Sequence, residues 1–419
     1  MRHSILVLVG FVLLAVTGAV GVTAQDEQSA QAHPGDGMPD PAGRIAFGRI
    51  TRQDELFGQV AALFAIDPDG SDLVQLTDGE SAFPAWSPDG SRLAFTQGLP
   101  DGSWQISTMA PDGSDVRVLT SGPGIHEVPS WSPDGSWIAY DYSPILPDDP
   151  AFHTIIYRMD ADGSNQALLG DPDTFDVEPR ISPDGTKVVF ARLTGEGDEW
   201  SGSIVVRDVA SGEELEFESA GAAIEHPAWS PDGDWIVYNV AGWMTGDPAD
   251  EQIWRVRADG SGEPDLVVAG SPSFKPTYSP EGGSLLHGCQ QTPGDDAACI
   301  TSADGSDSRV LVDEPGIHEN HFSWGVSEAA TVTVVARDLA FDPSEVTVSS
   351  SHGTVIQLIN NGRVTHNLTI DELGVQVVVP AGGTGEVTVE GPEPGATYQF
   401  YCSVSGHREA GMVGTITVR

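Results

Sequence analysis

One five-residue phrase, WSPDG, constrains this chain more than any other feature. It starts at Trp86, Trp131 and Trp229, with variants ISPDG at Ile181, YSPEG at Tyr278 and a worn FSWG at Phe322. Successive starts lie 45, 50, 48, 49 and 44 residues apart. An apolar run follows each full marker: RLAF (92–95), WIAY (137–140), KVVF (187–190), WIVY (235–238) and SLLH (284–287). A second marker, Asp-Gly-Ser, recurs out of phase at Asp69, Asp112, Asp162, Asp259 and Asp304, and ASGE at 210–213 takes that slot once. Self-similarity at this period means stacked copies of one supersecondary unit.

Each unit holds two hairpins, one around Pro-Asp-Gly and one around Asp-Gly-Ser. Asp hydrogen-bonds its own backbone in such turns, and Gly accepts positive φ. Four short strands at this spacing describe a propeller blade, and the count over residues 43–325 is six. The chain enters on a second strand, RIAFG (44–48), and leaves on a first strand, NHFSW (320–324). Those ends are expected to pair in one composite blade, which removes the open edge. The repeat P-x-W-S-P-D-G-x-x-I-A-F followed by D-G-S resembles the TolB-type six-bladed β-propeller. That resemblance implies fold rather than function, because such propellers serve as binding modules, scaffolds and peptidase gates.

The residue three before each Trp-type marker is expected at the inner end of its strand: Phe83, Val128, Glu178, His226, Lys275 and His321. With His126 and Glu127 beside them, Glu178, His226 and His321 form a candidate channel site for a cation or a basic peptide, set against a wet channel that merely tolerates polar groups. The Asp-Gly-Ser turns do not read as calcium loops. The EF-hand places glycine sixth, whereas DADGSN (160–165) has it fourth.

Charge narrows the partners. The chain carries 19 Lys+Arg against 62 Asp+Glu, a net charge of −43. Its lysines are Lys187 and Lys275 alone. Such a surface repels nucleic acid and anionic lipid and favours a basic partner. The N-terminus, a basic start and an apolar run ending Val22-Thr23-Ala24, reads as a Sec signal peptide over 1–24. Export to the periplasm or beyond is expected, with no membrane span after cleavage. An uncleaved signal would act as an anchor. Residues 25–42 are polar and Pro/Gly-rich, as in a disordered leader.

The three cysteines then separate. Cys289 and Cys299 flank the turn-rich QQTPGDDAA, and an oxidising compartment favours a disulfide between them. Cys402 is left over. Beyond a linker at 326–330, residues 331–419 contain seven segments of period-2 alternation, TVTVVARDLAF, EVTVSS, TVIQLINN, HNLTI, GEVTVE, ATYQFYC and GTITV, which make a β-sandwich. The fold expected is therefore all-β, a six-bladed β-propeller followed by a β-sandwich.

Cys402, His407 and Met412 share the loop between the last two strands in the pattern Cys-x4-His-x4-Met, and His366 comes from upstream in NNGRVTHNLTI. A thiolate, two imidazoles and an axial thioether are the blue-copper donor set. The stretches AFDP, NNG…HNL and FYCSVSGHREAGMVGTITV resemble the single-domain cupredoxin family. The resemblance implies one type 1 copper held by His366, Cys402, His407 and Met412. It makes His407 the exposed edge through which electrons leave, and Asn367 a tie between the two ligand loops. Ser405 departs from the family pattern, standing where many relatives have proline.

Two functions follow as expectations. One is an exported electron carrier, not a catalyst, with the propeller as a docking platform for a redox partner and for a ligand of its own. The other is a binding protein whose second domain stores or senses copper. The loop has one cysteine, so it lacks the pair that a binuclear copper site of the nitrous oxide reductase kind requires. YCS lacks the His-Cys-His wiring of multicopper oxidases, and neither a Cys-x-x-Cys-His haem motif nor a Gly-x-Ser-x-Gly nucleophile elbow occurs.

Overall fold

A computed structural model describes residues 43–54, 58–144, 153–196, 199–218, 224–240, 251–269, 272–292, 295–313, 319–325, 330–348, 354–389 and 396–418. The signal peptide and leader expected over 1–42 lie outside the described residues, as do 326–329 of the linker. The chain divides into two compact units, Met1–Val326 and Ser327–Arg419.

In the first unit, six four-stranded blades follow one another along the chain. The second blade runs Ser81–Trp86, Leu93–Gly98, Trp104–Met109 and Arg117–Val118. The blade that closes the ring is composite. Glu319–Gly325 pairs antiparallel with Arg44–Asp54, with Arg44 opposite Gly325 and Ile45 opposite Trp324. A blade has two apolar faces, and each packs on a neighbour. In the third blade Ile138 and Tyr140 join Ile106 of the blade before. Ala139, pointing the other way, joins Val188 and Phe190 of the blade after. The period-2 alternation of WIAY thus serves two interfaces at once. The last interface joins Leu286 and Ile300 to Ile45, Phe47 and Phe322, so both chain ends contribute to one core.

The markers are side-chain-capped turns. In WSPDG, Asp134 accepts from the Ser132 hydroxyl at 2.7 Å and from the Ser136 backbone N–H at 3.0 Å, while the Ser132 hydroxyl accepts the Trp137 N–H at 3.0 Å. The bond from Ser132, followed by those from Ser136, holds the Asp134 carboxyl down at about 2. The Trp indoles join blades: Trp131 donates to the Ala85 carbonyl and Trp229 to the Arg180 carbonyl, both at 3.0 Å.

The first strands carry a feature the alternation does not show. Each slips register just before its marker, for example between Ala82 and Ala85, between Glu127 and Ser130, and between Val177 and Arg180. At each slip one residue is left-handed: Phe83, Val128, Glu178, His226, Lys275 and His321, with φ between 51° and 61°. Side chains as bulky as these rarely take that backbone, which costs on the order of 1–3 kcal/mol each. The preceding blade helps to hold it. The Val128 N–H bonds Thr96 Oγ1 at 3.2 Å, the Glu178 N–H both Asp141 oxygens, and the Lys275 N–H Asn239 Oδ1 at 3.2 Å.

Cys289 and Cys299 form a disulfide across adjacent strands of the sixth blade, with Cα atoms 6.0 Å apart and both residues buried.

The second unit is a two-sheet sandwich. One sheet orders Ala340–Asp342, Ala330–Arg337, Thr354–Asn360 and Thr384–Val389. The other orders Glu345–Val348, Val413–Val418, Thr397–Tyr401, His366–Ile370 and Val375–Val379. Two differences from the seven expected segments stand out. Residues 331–341 make two strands, because the chain reverses at Asp338 and Leu339 to pair Arg337 with Ala340. Val375–Val379 is a further strand, an edge partner of His366–Ile370. Inner residues of both sheets, among them Phe341, Leu358, Leu368, Phe400 and Ile416, form one core.

Replacing Cys289 and Cys299 together by alanine is expected to lower stability by about 3 kcal/mol, the entropy released when a loop of that size opens. Denaturant unfolding with and without the pair measures it.

Candidate metal centre

Backbone pairing positions the ligand residues before their chemistry is considered. His366 opens the fully buried strand His366–Ile370. Cys402 directly follows Thr397–Tyr401, and Met412 directly precedes Val413–Val418, whose first residue pairs with Tyr401. Cys402 and Met412 are therefore the two feet of one loop, joined where the Cys402 N–H donates to the Met412 carbonyl at 3.1 Å. Inside the loop the His407 N–H donates to the Val404 carbonyl and the Met412 N–H to the His407 carbonyl, both at 3.0 Å. Gly406 and Gly411, at φ 84° and 98°, supply the left-handed positions these tight turns require.

His366, Cys402 and His407 come together, their donor atoms all within 4.8 Å of one another. Cys402 Sγ lies 3.8 Å from His366 Nδ1 and 3.4 Å from His407 Nδ1. A first-row ion bonded to sulfur at about 2.3 Å and to imidazole at about 2.0 Å in a trigonal plane separates its donors by roughly 3.5–3.7 Å. The set fits such an ion. Met412 is fully buried in the same core cluster as Cys402. His366 and Cys402 are buried as well, while His407 is half-buried. Burial, then the neighbouring His407, lowers the His366 pKa, which favours the neutral, metal-binding imidazole.

Asn367 bridges the two ligand segments. Its amide donates to Ser403 Oγ at 2.8 Å and its carbonyl oxygen accepts the Ser403 N–H at 2.7 Å. Its own N–H points at Cys402 Sγ, 3.5 Å away. Two residues escaped the sequence reading. Asn360, fully buried, donates to the Val364 and Val379 carbonyls and accepts the Gly362 N–H, all at 2.9 Å. It thereby shapes the turn that delivers His366. Gly362 lies so close that a Cβ there would stand 2.6 Å from His366 Nε2. The only sequence signal for either was the phrase NNG itself.

On the propeller, the six left-handed residues of the first strands line one small cavity. Of the channel residues expected from sequence, Glu178, His226 and His321 face it and His126 and Glu127 do not. His126 is buried with its ring 4.7 Å from that of Tyr142. Glu127 is buried too, and burial, then the nearby Glu178 charge, pushes its carboxyl up to about 8. Among the described residues, His366, Cys402 and His407 are the one group of three His, Cys, Asp or Glu gathered closely enough to hold a metal ion.

Comparisons with known proteins find matches for both parts of the chain. The family model for the TolB beta propeller domain matches residues 62–261, and the model for a cupredoxin-like domain matches 317–418. A protein TolB homolog of Chlorobaculum tepidum is 28% identical over 27% of this chain and 24% of its own length. The copper-resistant cuproprotein CopI of Rubrivivax gelatinosus is 31% identical over 21% of this chain and 66% of its own length. The chain thus spans less than two thirds of either relative. The crystal structure of TolB from Acinetobacter baumannii superposes with a TM-score of 0.56 at 21% identity, covering 68% of this chain and 67% of that one. The chain therefore joins a TolB-like six-bladed β-propeller to a cupredoxin-like domain, and the cupredoxin-like fold with its Cys/His cluster points to copper as the metal.

Two substitutions probe these readings. Gly362→Ala is expected to push His366 off its position and weaken copper affinity about ten-fold or more, measured by competition with a chelator. Glu127→Gln tests the buried carboxyl. The folded protein holds this proton up to about pH 8, whereas the unfolded chain releases it near 4.5, so stability falls as pH rises between those values. The variant, having no proton to lose, is expected to show a shallower fall of melting temperature across that window.

Proposed function

We propose that the chain is an exported type 1 copper protein that carries single electrons, with one copper bound by Cys402, His366, His407 and Met412. The observation that carries this reading is a thiol sulfur 3.4 and 3.8 Å from two imidazole Nδ1 atoms, on a loop whose two feet are already hydrogen-bonded to each other. Copper bound there supplies a one-electron couple.

The chain's own residues do the rest. The paired strands at either foot of the loop, and the Asn367–Ser403 bridge, limit how far the donors move between charge states. The fully buried His366, Cys402 and Met412 keep water from the set, and the half-buried His407 is its approach to solvent. Hydrogen bonding toward the sulfur from the Asn367 N–H stabilises negative charge on it. The propeller serves as a docking platform, and the −43 charge steers a basic redox partner. A Sec-type start directs the chain to the periplasm or beyond. On this reading the protein is a carrier and not an enzyme, and it binds no nucleic acid.

Storage or sensing of copper is the second reading, favoured by the likeness to a protein named for copper resistance. A reversible one-electron couple in voltammetry of the copper-loaded protein supports the carrier; copper binding without such a couple supports storage. Two variants test the ligands. Cys402→Ser is expected to abolish the intense visible band. Met412→Gln is expected to retain copper and lower the reduction potential, since a harder donor in place of the thioether would favour Cu(II). An unchanged potential would remove Met412 from the ligand set.

A further inference from the structure

The cavity on the propeller axis has an imbalance of hydrogen-bonding groups. Its acceptors are used. Glu178 Oε1 lies 2.7 Å from His226 Nε2, and Oε2 accepts the His226 backbone N–H at 2.6 Å. Asn239 Oδ1 faces His226 Nδ1 at 3.0 Å and the Lys275 N–H at 3.2 Å. Both oxygens of Asp141 take the Glu178 N–H.

Donors are left over. The Lys275 ammonium gives one hydrogen to His321 Nε2 at 2.9 Å and has two more. With Nε2 accepting, the His321 ring carries its own hydrogen on Nδ1. That atom is buried, on a residue 8% exposed, and has no hydrogen-bond partner. Arg180 also lines the cavity, and one of its five N–H groups bonds the Pro179 carbonyl at 3.0 Å. Apolar groups complete the wall: the Phe83 ring lies 3.9 Å from that of His321, and Val128 stands beside it.

We propose that this cavity binds a small monocarboxylate, its anionic head taken by Lys275, Arg180 and His321 Nδ1–H and its short apolar end resting on Phe83 and Val128. The size sets a limit: the cavity holds ≈ 30 Å³, room for roughly two waters or one carboxylate group, so the apolar end is no more than a hydrogen or a methyl. A cation fits poorly, since Glu178, the carboxylate in the lining, is already engaged by His226 and two cationic side chains face the space. Glu178, Glu225, Asp296 and Glu251 act on Lys275 from nearby, yet burial outweighs them and lowers its pKa, so the ammonium gains from a further anion. Placement is also telling, because one of the two lysines in a chain of net charge −43 is held in a left-handed backbone to reach this axis.

Titration calorimetry of the full chain with formate and with acetate, and with chloride as a control anion, tests the proposal. Saturable one-to-one binding of either acid is expected, together with a raised melting temperature of the propeller. Lys275→Met is expected to weaken that binding at least about ten-fold while the far-ultraviolet circular dichroism stays unchanged. His321→Phe keeps the ring against Phe83 and removes the donor, and is expected to weaken binding likewise; it decides the matter if the lysine variant does not fold. No saturable binding by the wild type, equal binding of chloride, or full affinity in the folded variants would each overturn the proposal.

Discussion

A propeller blade cannot bury both of its faces alone, and everything in the first unit follows from that constraint. Each sheet is apolar on two sides, so it is stable only between two neighbours, and a row of blades is stable only if it closes. Closure here falls to antiparallel pairing of Glu319–Gly325 with Arg44–Asp54. The paired residues Ile45 and Trp324 also belong to the core shared with the sixth blade. One register thus fixes a sheet and an interface together. A slip by a single residue would turn Ile45 and Phe47 toward the second blade and Ala46 toward the sixth, reversing both cores.

The same chain shows what a sequence discloses and what it conceals. Blade number, strand alternation and the composite blade were legible because turn chemistry is local. Asp and Gly at fixed offsets declare a capped turn, and the structure caps them with the Ser hydroxyls and backbone groups of the same turn. The bulge was not legible as geometry, though its signature was present. Proline follows the left-handed residue in five of the six first strands, at Pro84, Pro129, Pro179, Pro227 and Pro276. A bulge leaves backbone groups out of the ladder, so a residue without an N–H loses nothing there. What hid the geometry is that the groups holding the strained residue come from the preceding blade, some 32 to 48 residues away.

For the proposed copper site the division is similar. Three of the four proposed ligand positions sit within eleven residues, and their spacing was readable because one loop carries them. His366 was readable as a residue, but the means of placing it was not. It depends on Asn360, whose amide spans two carbonyls from separate segments, and on the missing side chain of Gly362. The strand Val375–Val379, which pairs with His366, also escaped. It lies at a sheet edge, where Val378 is more than half exposed, so its alternation does not announce a buried face.

The two polar centres of the molecule meet the same problem in different ways. Groups that are costly to bury persist only where something pairs them. In the sandwich, a thiol and two imidazole nitrogens are turned toward one another at 3.4 and 3.8 Å, paired only by long contacts to sulfur. Neutral hydrogen bonding gains little at such distances, whereas a soft cation is a good partner for all three. On the propeller axis the groups are instead paired in a chain from Asp141 through Glu178, His226 and Asn239 to Lys275 and His321. That chain satisfies its acceptors first and ends on a donor, His321 Nδ1, with nothing to receive it. A surplus of soft donor atoms calls for a metal and a surplus of hydrogens calls for an anion, so each centre states the sign of its ligand through the groups its own hydrogen bonds satisfy least.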